Sequence, residues 1–248
     1  MEASAYLFEL LAALAYLGVG ARLLRLASRT GERPERLLGA YFVGSGISYL
    51  LYEIPLVLTL DVWQTPAFFA GRVVYDLALV PFVLFLLEVF HRDEAGAAWM
   101  AGAILLLLFA GLAASIWTGD YEGLSVDHPG FWCEWLGYTI PFAWLAGDAL
   151  AGHLRARLRM RIGLIEPLVA NRYLLWGLFA VLQVAISLVL IAMYVEYADD
   201  GAFSVWADAV VGGLEMTSIG LLYLVFFAPH AYRRWLGAQA DAVAAGAR

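Results

Sequence analysis

The sequence predicts an all-α integral membrane protein of seven spanning helices, and three observations predict it. First, 63% of the 248 residues are hydrophobic and only 15% are charged, with mean hydropathy +0.76. A soluble domain of this length needs more charged surface, whereas helices that face lipid are apolar on every side. Second, apolar windows of about 20 residues, the length a hydrocarbon core demands, recur along the chain. Third, the basic residues gather between alternate pairs of those windows. The chain has no lysine, so its 15 strongly basic side chains are all arginines, against a formal net charge of −7. No nucleic-acid motif, phosphate-binding loop or soluble effector domain is evident. The single cysteine, Cys133, excludes an intramolecular disulfide, and His91, His128, His153 and His230 lack the spacing of a histidine metal site.

The windows lie at roughly 5–25, 38–60, 67–90, 97–117, 131–152, 173–195 and 204–228. The first carries Glu9 and ends in Arg22 and Arg25; without a basic leader or small-residue cleavage site before it, it reads as a retained span. The second places Ser45, Tyr49 and Glu53 at i, i+4 and i+8, with Ser48 and Tyr52 beside them, a polar stripe on an apolar helix. Asp61 to Pro66 is a turn too short for anything but an antiparallel neighbour, the third span. That span brings Arg72, Tyr75 and Asp76 to one face, then Pro81 and Glu88. His91 to Glu94 is a polar break, where Glu88, His91 and Arg92 are expected to form a surface pair.

The fourth span, Trp99 to Trp117, has no ionisable residue and reads as packing or lipid-facing. The fifth opens on Trp132, Glu134 and Trp135 and leaves through Asp148, His153 and Arg155, Arg157, Arg159 and Arg161, a basic run predicted to lie against anionic headgroups. Glu134, so near a span end, is expected to reach water, and Asp148 to meet the headgroups. Ile162 to Val169 is too short to span and is expected along the interface. The sixth span sets Gln183 and Ser187 one turn apart, and the seventh carries Glu215, Thr217 and Ser218. Residues 1–235 form one domain, followed by a short alanine-rich tail, 236–248.

In this arrangement every arginine except Arg72 falls on one side of the membrane, and the other side collects Asp61, Asp120, Glu122, Asp127, Asp199 and Asp200. By the positive-inside rule the arginine side is cytoplasmic, which puts the N-terminus outside and the C-terminus inside. The expected home is the plasma membrane of a bacterial cell.

Counting about 1.5 Å per residue sets Arg72, Glu53, Asp76 and Glu215 at similar depth, about 8 to 15 Å from the outer ends. If spans two, three and seven adjoin, one cation meets up to three carboxylates, with Tyr49, Tyr52, Tyr75, Thr217, Ser218 and Gln183 available to share hydrogen bonds. A structural ion pair would neutralise part of this set. The excess of acids over bases points further, to a site that binds a ligand or a cation, because intramembrane ionisable residues are expensive to retain without a role.

Spans three and seven resemble those of the microbial rhodopsins. Arg72, Tyr75, Asp76, Pro81 and Glu88 follow, with spacings shifted by a residue or two, the arginine, tyrosine, carboxylates and proline of that family's third helix. Glu215 stands four residues before the position of the retinal lysine, which here is Ile219. The resemblance implies a seven-helix bundle with a charged pocket; the missing lysine excludes a covalent retinal, and no other cofactor is expected. The topology is equally that of G-protein-coupled receptors, whose DRY and NPxxY patterns do not occur. It is also similar to the seven-helix sensory modules that accompany bacterial signalling enzymes.

The sequence thus supports a receptor-like or sensor-like protein with an outward-facing polar pocket for a small ligand, handing its signal to a separate partner chain. The alternative is a transporter or channel moving protons or a small solute through the same acids. A zinc-dependent membrane hydrolase would need intramembrane histidines, which none of the windows supplies at mid-span, so the chain is not expected to be an enzyme.

Overall fold

Among the described residues the fold has eight helices: α1 (Glu2–Thr30), α2 (Arg33–Val57), α3 (Asp61–Phe90), α4 (Ala95–Thr118), α5 (Pro129–Arg161), α6 (Pro167–Asp200), α7 (Val205–Phe227) and α8 (His230–Gly246). The computed structural model describes residues 2–58, 60–121, 126–200 and 205–246. Glu122, Arg248 and the side chains of Glu9, Asp61, Trp63, Arg161, Asp199, Asp200 and Trp206 lie outside the described residues.

Among the described residues six helices, α1, α2, α3, α4, α6 and α7, carry stretches long and apolar enough to cross a membrane. Their composition suits a lipid bilayer. Helix α5 is not among the six, and its side chains say why. Glu134 and Thr139 are buried, Tyr138 and Asp148 partly so, and all of them bond to neighbouring helices. A helix whose polar groups turn inward onto partners loses apolar character without exposing charge to lipid.

Short connections fold each helix back beside its predecessor. α1 packs on α2, α2 on α3, α5 on α6, α6 on α7, and α7 returns to α1 to close a ring; α4 lies mainly on α5, and α3 also reaches α5. α1 and α7 are further joined by the Arg22 guanidinium, 4.4 Å over the Phe227 ring. Helix α7 therefore stands between α1 and α6; spans two and three adjoin as expected, but span seven does not pack beside them. The polar set on α2 reaches α7 by the length of a tyrosine instead.

Aromatic rings fill the middle of the bundle. Tyr41 stacks on Phe82 at 4.6 Å, Phe82 meets Phe142 at 5.1 Å, and Trp176 meets Phe226 at 5.6 Å, with Phe42 and Phe179 between them. Along α3 and α5 this layer follows the polar residues by one to two turns, so it closes the base of the polar region.

Three further features concern the connections and the tail. The stretch 162–166 is a tight connection and α6 begins at Pro167, so Pro167 to Val169 belong to the first turn of α6. Glu88 pairs with Arg33 of α2 at 3.1 Å, not with His91 or Arg92, because α2 starts beside the end of α3. The tail is helical: α8 takes in most of 236–248, and its Tyr232 accepts a hydrogen bond from Asn171 of α6 at 2.7 Å.

Candidate functional site

The charged centre is built by α3, α4 and α5. Arg72 is 5% exposed and Asp76 fully buried, one turn apart on α3 as the spacing requires. The guanidinium does not pair with Asp76. It grips Glu134 of α5 with both ends of its fork, Nε to Oε1 and Nη2 to Oε2. Nη2 also donates to Ser115 Oγ of α4 at 2.8 Å, and Nη1 to the carbonyls of Asp120 and Tyr121 at 3.1 and 3.3 Å. Bidentate pairing with a carboxylate, plus acceptors for the remaining donors, is the arrangement that compensates burial of a guanidinium.

Glu134 was expected to reach water, but it is 3% exposed. The guanidinium that holds it also bonds to the Asp120 and Tyr121 carbonyls past the end of α4, so its position five residues into the helix says little about its depth. Nor is α4 merely packing, since Ser115 is wholly buried against the cation. Local geometry holds the connection between α4 and α5 in place. Gly119 ends α4 at φ 77, a left-handed conformation that glycine adopts without strain, and sends Asp120 and Tyr121 back over Arg72. His128 then starts α5 by accepting from the Gly130 N–H at 3.1 Å.

Asp76 joins the cluster through Tyr138, one turn after Glu134 on α5. The Tyr138 hydroxyl lies 2.7 Å from Asp76 Oδ1 and also bonds to Glu134 Oε1. One phenolic hydrogen cannot serve two carboxylates. A second proton, shared by Asp76 or Glu134, lets the phenol donate to one and accept from the other. Charge counting agrees: one guanidinium faces two carboxylates, and burial of the surplus negative charge is costly. The other oxygen of Asp76, Oδ2, has no hydrogen-bond partner among the described residues.

The remaining predicted site residues are spread over neighbouring helices. Tyr75 is half-buried and meets the Tyr138 ring edge to face at 5.3 Å. Tyr49 donates to Glu215 of α7 at 2.8 Å, and Gln183 donates to Ser218 at 3.4 Å. Tyr52 packs on Phe68 at 4.7 Å, and Glu53 is 4% exposed beyond it on α2. Thr217 does not belong to the set: it is exposed and bonds to the Gly213 carbonyl of its own helix, since it stands on the opposite face from Glu215 and Ser218. Position 219, an isoleucine, packs against the aromatic core.

Among the described residues the predicted site residues thus fall into two polar centres, Arg72–Glu134–Tyr138–Asp76 and Tyr49–Glu215, with Tyr75 between them. Sequence spacing found half of the first centre. Its α5 half had a readable sign, because Glu134, Tyr138 and Phe142 recur at i, i+4 and i+8 on one face.

At the other end of α3, His91 sits against α5. Its Nε2 is 2.7 Å from Asp148 Oδ2 and its Nδ1 2.9 Å from Glu94 Oε2. Asp148 therefore meets a histidine where headgroup contact was expected. Burial lowers the imidazole pKa, but hydrogen bonds to Asp148 and Glu94, together with their charge, outweigh it and hold the value above the ordinary 6.5. Nearby, Phe85, Leu145, Arg172, Tyr173 and Trp176 line a half-open apolar cavity of about 220 Å³. It is smaller than the sites that enclose drug-sized ligands, which run to about 300–1,000 Å³.

Compared with known proteins, the chain matches no family, no curated protein and no solved structure.

Proposed function

We propose that the chain is a seven-span membrane sensor in which protonation of the Asp76–Tyr138–Glu134 cluster changes the tie between α3 and α5, and that a separate partner chain reads the change. In this reading α5 also crosses the membrane, as the fifth of seven spans. One observation carries it: a single phenol hydroxyl bridges two buried carboxylates, of which only Glu134 is paired with the guanidinium. With every donor of Arg72 engaged on Glu134, Ser115 and the 120–121 carbonyls, the ligand that fits without dismantling the site is a proton. The aromatic layer beneath it favours a sensor over a carrier, since Phe82 and Phe142 stand where a path would continue. A small solute binding from outside, in place of the Asp120 and Tyr121 carbonyls, is the broader form of the same reading.

The arginine distribution sets the orientation: N-terminus outside, cluster in the outer half, basic run and C-terminus in the cytoplasm of a bacterial plasma membrane. A reporter active only in the cytoplasm should work when fused after Arg248 and stay silent when inserted near Asp127. The reverse pattern would sink the topology.

The sensor reading is tested with nitroxide labels on cysteines replacing the exposed Leu26 and Leu158, in a Cys133→Ala background. A pH step should change the inter-label distance in the parent and not in Asp76→Asn, which holds the carboxyl position neutral. In parallel, proteoliposomes under a pH gradient should stay tight. Proton flux that Asp76→Asn abolishes would replace the sensor with a transporter, and an unchanged distance without flux would overturn both.

A further inference from the structure

His91 lies at the C-terminal end of α3, 19 residues from Arg72, which is about 28 Å along a helix. Three groups compete for its two ring nitrogens. Glu94 Oε2 faces Nδ1 at 2.9 Å, whereas Nε2 has Asp148 Oδ2 at 2.7 Å and Trp144 Nε1 at 2.8 Å. Trp144 and Asp148 are one turn apart on α5, so both can reach the same nitrogen. They cannot both bond to it. An indole N–H only donates and needs the Nε2 lone pair, while an ionised carboxylate only accepts and needs an Nε2 proton.

We infer that His91, Asp148 and Trp144 form a second proton-binding site, in which the proton decides whether α3 is tied to α5 through Asp148 or through Trp144. With the ring protonated, Nδ1–H donates to Glu94 and Nε2–H to Asp148, an ion pair that leaves the indole without an acceptor. With the ring neutral and its hydrogen on Nδ1, Glu94 keeps its bond, Nε2 accepts from Trp144, and the Asp148 carboxylate faces a lone pair and must withdraw. The exchange consumes or releases one proton and needs no other reactant. It moves the contact by one turn of α5.

The surroundings set its range. Charged groups facing His91 are Asp148 from α5 and Glu94 from the α3–α4 connection, with Arg92 and Asp93 adjoining it in the chain. Glu88, one turn earlier on α3, is held by Arg33 of α2, and the first turn of α4, Ala95 to Ala98, brings no charge. Two carboxylates against one ring favour the imidazolium, so the exchange falls above the usual histidine range. The site stands apart from the Arg72 centre and does not depend on the sensor reading.

Trp144 reports the exchange directly, because an imidazolium in contact with an indole quenches its fluorescence. The Trp144 contribution is obtained by subtracting the emission of Trp144→Phe from that of the parent, across about pH 5 to 9. It should be low in acid and recover as pH rises, with a midpoint above about 6.5. Asp148→Asn should shift that midpoint down by about one unit. In His91→Gln the pH dependence should vanish while the emission persists. A Trp144 signal that still titrates in His91→Gln, or a midpoint unmoved in Asp148→Asn, would overturn the inference.

Discussion

Arg72→Leu should be among the most destabilising single substitutions in the chain, with Glu134 left ionised and buried and Ser115, Asp120 and Tyr121 deprived of their donor. Removing one partner of a buried pair costs about 3–5 kcal/mol, chiefly through the stranded charge. The paired change Arg72→Leu with Glu134→Leu removes both charges and restores an apolar contact, so it should recover most of the lost stability. Thermal unfolding in detergent reads both. The sensor reading adds a second expectation, that the double variant folds yet loses the pH-dependent distance change, because Tyr138 then keeps a single carboxylate. If Arg72→Leu melts with the parent, the guanidinium is hydrated and the α3–α4–α5 centre does not hold the fold.

How far the sequence foretold this centre can be judged at Arg72. Helical spacing placed Arg72, Tyr75 and Asp76 together, and the cost of burying them demanded partners. Spacing within a helix cannot say which helix supplies those partners. The expectation turned to Glu53 and Glu215 because depths counted from span ends coincided, yet helix ends are not membrane boundaries. α3 begins at Asp61, where a turn was expected, and Glu134 is buried on Arg72 close to the start of α5. A partner on another helix makes a carboxylate near a helix end a buried one, and no hydropathy window registers it.

Helix membership itself was legible, since a run of apolar residues between polar breaks is a local property. Ring order was not. α7 stands between α1 and α6, and the long side chain of Tyr49 reaches Glu215 from α2. The face of α7 could have been read more closely: Glu215 and Ser218 at i and i+3 share one side, which leaves Thr217 outside. Where pattern and packing coincide, as in the inward stripe Glu134, Tyr138, Phe142, the site follows from periodicity alone.

The second large effect is expected at Gly111, where α4 meets α5 beside the centre. A Cβ there would lie 2.7 Å from both the Glu134 backbone nitrogen and the Gly130 carbonyl oxygen. Those are main-chain atoms of a helix, so relief requires the two helices to separate. Gly111→Ala should therefore cost about 1–3 kcal/mol, the range for overpacking a filled interior. Separation would also draw Ser115 and Glu134 away from Arg72, so the loss should shrink in the Arg72→Leu, Glu134→Leu background, where nothing at that point needs to meet. Gly102, on the same helix, provides the opposite sign. It has no atom within 4 Å of an added Cβ, and Gly102→Ala should gain about 0.5–1 kcal/mol from the lower helix cost of alanine. Paired melting curves decide the matter: should Gly111→Ala rise in Tm alongside Gly102→Ala, α4 and α5 are not in backbone contact, and Ser115 cannot be where Arg72 needs it.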